Sequence, residues 1–464
     1  MKKHVLPILL AFLLVIPAIL LLCGFALPAQ YGETFLGQLS AQVDRLSESP
    51  GQRIILVGGS SVPFSLRCDL LEAALPGYTV IDFGLYADIG TSVMLELLEP
   101  ELRSGDLVII APEQNALNNN WSADSLWQGL DGRFDLLRRL APDRYEKLLA
   151  AFPGFAGKKF RYFLQGSPIP GDIYARSSFN AYGDIDSPLR AANTMPGGFD
   201  PTQPISFAPE VLDEEFVSTL NAFAAKAAER GAKVCFRFAP MNKAALDGTD
   251  PDAFYDHLRS RLHFPILGDP NRSILDSGWF FDTNFHLNAA GAVYFTRGLL
   301  DDLKILLGDT TPNPIALPVL PAPAPKERYV GDDRDAACFR YEAVSGGWQL
   351  AGLTEDGTNR TELVLPTIYQ GQPVLSMAEN LFENNTTLRR VTIQPNLSVL
   401  PDGLFRGCSN LTALVLTGAP TDYLVGDGLT DGADFRIFVP AEDLDSFVLS
   451  YRWQKYSGLF SPIA

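Results

Sequence analysis

The sequence predicts an α/β chain in which a doubly wound parallel sheet is followed by a Pro-rich spacer and a small leucine-rich-repeat solenoid. Between Gln52 and Gly308, short unbroken apolar runs alternate with helical patterns, which implies right-handed crossovers around a parallel sheet. Further on, a set of apolar residues recurs every 23 positions, a period that fits stacked leucine-rich units. Pro312, Pro314, Pro318, Pro321, Pro323 and Pro325 separate the two patterns and define a semi-rigid linker over 309–328.

The 464 residues, 47% of them apolar, can bury a large core and divide into about three units of ordinary size. A formal charge of −17 argues against a nucleic-acid partner, because binding to phosphates rests on excess Lys and Arg. The five cysteines are widely spaced and contain no Cys-x-x-Cys, so no metal site, cofactor or disulfide framework is implied. Cys235 and Cys408 read as core residues.

Lys2 and Lys3 precede an uncharged run from Val5 to Leu27, which at about 1.5 Å per residue spans the hydrocarbon core of a bilayer. Residues 1–30 are expected to form a single-pass transmembrane signal-anchor with the lysines cytoplasmic and the bulk of the chain extracytoplasmic. Cleavage after Ala29 would release a secreted form on the same side. Buried parallel strands are expected at Arg53–Val57, Tyr78–Phe83, Asp106–Ile110 and Lys233–Phe238. Helices are expected at Leu66–Ala74 and Thr91–Leu102, on the face carrying Phe216, Leu220, Phe223 and Ala227 up to Gly231, and at Ala289–Leu307 behind an Asn288 cap.

The α/β domain therefore covers 50–308, with 116–215 as an insertion. There, Leu126, Leu130, Phe134 and Leu137 share a helical face. Lys158–Phe163 is a basic and aromatic patch, read as a solvated face or, beside a membrane, a contact for lipid or a partner. Gln165–Ser206 reads as a long ordered loop or lid. In the repeat domain, 329–464, Leu381, Phe382, Leu388, Val391 and Ile393 recur as Leu404, Phe405, Leu411, Leu414 and Leu416, with Ile437 and Val439 continuing the series. Tyr341–Leu350 and a helix over Ala441–Tyr451 are expected to cap the stack.

The candidate site centres on Asp282 and His286, a carboxylate beside one of only four histidines. An Asp that fixes the tautomer of a His makes a base able to activate a serine. The serine expected to complete the set is Ser60, in the turn Gly58-Gly59-Ser60-Ser61 after the first strand. A tetrahedral oxyanion then needs donors about 3 Å away. The backbone amides of Ser60 and Gly84 and the side chain of Asn115 are the candidates. Ser61, Glu113 and Gln114 are held as secondary ones, although a Gly-Gly-Ser-Ser turn is by itself usually only a tight turn.

This order resembles the SGNH (GDSL-type) hydrolase superfamily, whose fold has flavodoxin-like layering. By that resemblance Ser60 matches the nucleophile, Gly84 the oxyanion glycine, Asn115 or Gln114 the third-block donor, His286 the base and Asp282 its orienting acid. Gly59 stands where that family has Asp, the third block is not Gly-x-Asn-Asp, and three residues rather than two separate Asp282 from His286. The phrases Gly-Gly-Ser-Ser, Pro112-Glu-Gln-Asn115, Ser178-Phe-Asn180 with Gly183-Asp184, and His286-Leu-Asn288 look more like membrane-anchored partners of membrane-bound O-acyltransferases. Gly371-Gln-Pro-Val374, Leu404-Phe-Arg-Gly-Cys408 and Tyr451-Arg-Trp453 resemble the BspA-type leucine-rich repeat of bacterial surface proteins.

The resemblances imply a serine esterase or O-acyltransferase of the cell envelope. Its partners would be an envelope polysaccharide or its acyl donor, and a membrane-bound O-acyltransferase. The alternative is a non-catalytic surface adhesin with a degenerate pocket and ligand-binding repeats.

Overall fold

In the computed structural model of the protein, which describes residues 14–170, 173–321, 331–426 and 428–463, the chain is mixed α/β with several parallel sheets. Strands β1 (Gln52–Gly58), β2 (Tyr78–Asp82), β3 (Leu107–Ala111) and β4 (Lys233–Phe236) form one parallel sheet in the order β2-β1-β3-β4. Ile54 to Val57 and Val108 to Ile110 are fully buried, which is why these strands read as unbroken apolar runs rather than alternating ones. The strand order reverses between β1 and β3, so the loops that leave their carboxyl ends diverge and open a crevice there.

One charged pair inside this unit had no sequence signal. Arg53, fully buried at the start of β1, donates from Nε to Asp106 Oδ1 (2.9 Å) and from its Nη groups to Leu46 O and Glu101 O. Burial of this guanidinium is offset by a paired carboxylate and two carbonyls.

Between Gln38 and Leu307 the α-helices are α1 (Gln38–Glu48), α2 (Ser61–Ser65), α3 (Cys68–Ala74), α4 (Thr91–Leu98), α5 (Ala123–Gly129), α6 (Arg144–Gln165), α7 (Glu214–Glu229), α8 (Pro251–Arg261) and α9 (Ala289–Leu307). Helix α9 starts where Asn288 Oδ1 accepts from Gly291 N at 2.9 Å and stops at Gly308, whose left-handed φ of 72° suits glycine. Two-residue strands β5 (Met241–Asn242) and β6 (Ile274–Leu275) pair in parallel beside the site.

The insertion contains a long helix that the sequence reading missed. Lys158–Phe163 lies in the last third of α6, where Phe160, Arg161 and Phe163 are exposed as a surface patch requires, while Lys159 points inward to Asp131 (2.7 Å) and Gly24 O (2.9 Å). Phe25 stacks on Phe152 of the same helix with ring centroids 5.0 Å apart. The end of the N-terminal apolar run is thus packed into this unit. Residues 14–21 are helical, and 1–13 of the expected anchor lie outside the described residues. Among the described residues no helix is long and apolar enough to cross a membrane.

The expected linker is also different at its start. Asn313 donates to Arg297 O (2.9 Å) and Asp301 Oδ1 (2.8 Å), and Ile315 is buried, so this stretch lies along α9 as a strap. Residues 322–330, which hold its end, lie outside the described residues.

The second unit comprises Pro323–Ala464 with two pieces of the insertion, Pro170–Tyr174 and Thr194–Pro204, so the expected lid is divided between units. Its first strands, β7 (Phe339–Val344) and β8 (Gly347–Leu353), form an antiparallel hairpin, with β9 (Glu362–Val364) and β10 (Gln372–Met377) following. The strands β11 (Arg390–Ile393), β12 (Ala413–Leu416), β13 (Arg436–Val439) and β14 (Phe460–Pro462) join β9 in a parallel sheet of order β14-β13-β12-β11-β9.

Its register aligns Val391 with Leu414, Leu414 with Ile437 and Ile437 with Phe460, the 23-residue step read from the sequence. Phe382 and Phe405, one period apart, stack at 5.5 Å inside the same core. The terminal helix is shorter than expected, Leu444–Leu449, and a 3-10 segment follows that carries the fully buried Trp453.

Candidate active site

The turn after β1 needs glycine for room. A Cβ on Gly58 would lie 2.3 Å from Ala111 O, and one on Gly59 would lie 2.9 Å from Glu113 Oε1. This tight turn starts α2 and carries Ser60, with helical φ and ψ of −65° and −21°. Ser60 Oγ lies 2.8 Å from His286 Nε2, across 226 positions of sequence.

The histidine arrives on a loop that doubles back on itself. Phe280 bridges Leu287, Phe281 N donates to His286 O (2.8 Å), and His286 N donates to Thr283 Oγ1 (3.0 Å). The loop follows β6 rather than the main sheet, and Asn242 N of β5 holds it by donating to Asn284 O (3.0 Å). Within it Asp282 and His286 stand on one side, with Asp282 Oδ1 2.9 Å from His286 Nδ1. The three intervening residues are accommodated by this hairpin-like turn.

Because a carboxylate only accepts, Nδ1 carries a proton and donates it to Asp282, which leaves Nε2 as the acceptor facing Ser60 in the neutral ring. Phe64, on α2, lies flat against the imidazole with centroids 4.0 Å apart and planes 5° apart, setting the ring's tilt. Ser60 and His286 are both within 1% of full burial.

The expected oxyanion donors fare differently. Gly84 belongs at this close approach, since a Cβ there would meet Val62 Cβ at 2.4 Å. Its N–H, however, is taken by Asp82 Oδ1 at 2.7 Å and its carbonyl by Gln42 Nε2 at 2.6 Å. Asn115 is exposed on a 3-10 turn, and Gln114 turns away to donate to Ser206 O (3.1 Å).

The third-loop side chain that faces the serine is Glu113. Its Oε1 lies 3.2 Å from Ser60 Oγ and accepts from Ser61 N at 3.0 Å. The side chain of Ser61 points elsewhere, lining a cavity of about 10 Å³ with Ser65, Ala111 and Arg237. A loop residue that follows proline and sits at a strand's end is biased only by helix and turn chemistry, so periodicity could not separate Glu113 from its two neighbours.

Beside the site lies a cluster without sequence warning except the phrase ending Gly183-Asp184. Asp82 and Asp184 are fully buried, with Asp82 Oδ2 and Asp184 Oδ1 lacking hydrogen-bond partners, and Cys68 Sγ completes a group whose ligand atoms lie within 4.8 Å of one another. These are the described residues whose types and spacing come nearest to a cation site. Desolvation, then the neighbouring carboxylate, raises Asp82 well above the ordinary carboxylate range, and desolvation pushes Asp184 up to about 6.

No family model matches this chain, and no curated protein sequence does. Among solved structures, a leucine-rich repeat protein of T. pallidum (TpLRR) aligns at 22% identity over 18% of this chain and 41% of that one. The TM-score is 0.16, a likeness too slight to define a fold.

Proposed function

We propose that this protein is a membrane-anchored, extracytoplasmic serine esterase or O-acyltransferase of the cell envelope. The observation that carries the reading is the hydrogen-bonded series Ser60 Oγ to His286 Nε2 (2.8 Å) and His286 Nδ1 to Asp282 Oδ1 (2.9 Å). Three side chains from two loops make a nucleophile, a base and an orienting acid. In the proposed reaction Ser60 Oγ attacks the acyl carbon as His286 Nε2 takes its proton. The bond to the leaving oxygen then breaks, and the imidazolium returns the proton to that oxygen. Water or a sugar hydroxyl attacks the acyl-serine, again through His286, and restores Ser60.

The N-terminal apolar run, the SGNH-like order of motifs and the 23-residue register support an anchored, two-domain envelope protein whose second unit is a leucine-rich solenoid of BspA type. In that reading the acyl donor comes from a membrane-bound O-acyltransferase, the acceptor is an envelope glycan, and the repeats hold a glycan or protein.

Hydrolysis of p-nitrophenyl acetate by the full chain in detergent, beside Ser60→Ala and His286→Ala, tests the serine device. Loss of turnover in both variants is the expected result, and equal rates in all three refute it for this substrate. The competing reading, a binding protein with a degenerate pocket, draws on the complete burial of Ser60. It predicts no acylation of Ser60 by any ester.

A further inference from the structure

Glu113 is a buried carboxylate, and among the described residues no Lys or Arg pairs with it. Its recorded partners are the Ser60 hydroxyl (3.2 Å) and the Ser61 amide (3.0 Å). A buried anion placed against the nucleophile rather than against a cation needs a reason, because such a group is costly unless it is paired.

Two features of the geometry supply one. First, the Ser60 hydroxyl has one proton and two acceptors, His286 Nε2 at 2.8 Å and Glu113 Oε1 at 3.2 Å. Only donation to Nε2 prepares Ser60 for attack. When Ser60 donates to Glu113 instead, Nε2 must carry its own proton to fill the contact, and His286 cannot act as base.

Second, an oxygen about 3 Å from both the nucleophile and a backbone N–H stands where the oxyanion of a tetrahedral intermediate is received. Glu113 Oε1 holds that place. A carboxylate there repels developing negative charge, and most strongly where water is excluded. Gly59 fits the same picture, since a Cβ at that position would press on Glu113 Oε1 at 2.9 Å.

We propose that Glu113 gates the acyl-binding position: in the resting protein its carboxylate occupies the place of the substrate's carbonyl oxygen, and acylation of Ser60 requires it to leave. Glu113 is thereby the residue that decides which acyl donors react. A donor that displaces it gains the Ser61 amide as a hydrogen-bond partner, while a small ester that cannot displace it reacts slowly. This rests on the serine reading above.

The test is the rate at which a fluorophosphonate labels Ser60 in the full chain, together with p-nitrophenyl acetate turnover, for wild type, Glu113→Gln, Glu113→Ala and Ser60→Ala, with thermal unfolding recorded for each. Glu113→Gln keeps the shape and removes the charge, so it decides the matter if Glu113→Ala fails to fold. The expected result is labelling at least about tenfold faster in both Glu113 variants, with kcat/KM for p-nitrophenyl acetate raised in step. A positioning role cannot produce a gain of this kind. Equal or slower labelling in a folded Glu113→Gln overturns the gate and makes Glu113 a support for the turn. Absence of Ser60-dependent labelling in every folded variant overturns the gate and the serine reading together.

Discussion

The buried pair Asp82 and Asp184 makes a prediction that runs against the usual outcome of core substitutions. Asp184 Oδ2 accepts from Cys68 N at 2.7 Å, while its Oδ1 and the Oδ2 of Asp82 have no partner. Desolvation raises both carboxyls, Asp184 from 3.8 to about 6, and the Asp184 charge raises Asp82 further. A carboxyl raised on folding contributes its full stability below the unfolded value near 3.8, and that stability is lost as pH climbs through the folded value. At 1.36 kcal/mol per pH unit, the folded state of wild type forgoes about 3 kcal/mol by pH 8.

In Asp184→Asn the amide oxygen can keep the Cys68 contact while the NH₂ donates to Asp82 Oδ2, replacing repulsion with a charge-assisted hydrogen bond. The variant is expected to be more stable than wild type by up to about 3 kcal/mol at pH 8, a rise in Tm of about 6 °C. The gain should shrink toward zero near pH 4. Urea unfolding at pH 4, 6 and 8 measures it. A variant less stable than wild type at pH 8 refutes a destabilising charge at Asp184. If zinc stabilises wild type but not the variant, the cluster holds a cation instead.

Asp282→Asn keeps the volume but favours the wrong histidine tautomer, so kcat for the proposed ester hydrolysis should fall by about 10³ to 10⁴ with little change in Tm. Asp106→Asn leaves the Arg53 guanidinium buried without its counter-charge and should cost about 3–5 kcal/mol in urea unfolding. Trp453→Ala empties the site of the largest fully buried side chain, whose Nε1 donates to Pro420 O (3.2 Å). It should cost the repeat unit about 3–5 kcal/mol, read as faster hydrogen exchange of β12 and β13.

Much of this protein is written locally. Strands β1 to β4 follow from apolar runs that only a sheet covered on both faces can satisfy, and α9 from a capping asparagine and a closing glycine, signals held within one or two turns of chain. The 23-residue step of β11 to β14 is equally legible, because each unit repeats the same apolar positions. Ser60, Asp282 and His286 are legible as a candidate site from residue type and loop order, because the proposed nucleophile, base and orienting acid need those side chains.

Three features were left to tertiary structure: which residue of Pro112-Glu-Gln-Asn115 faces the serine, where the Gly84 amide points, and the pairing of Asp82 with Asp184. Each is decided by the direction of one side chain or amide in the folded chain, as where Glu113 Oε1 meets Ser60 Oγ at 3.2 Å across 53 positions. The inward turn of Lys159 toward Asp131 and Gly24 is of the same kind. Periodicity records which face of an element is buried; it carries no record of the partner found there. A buried charge is set by that partner, and the partner is supplied only by the fold.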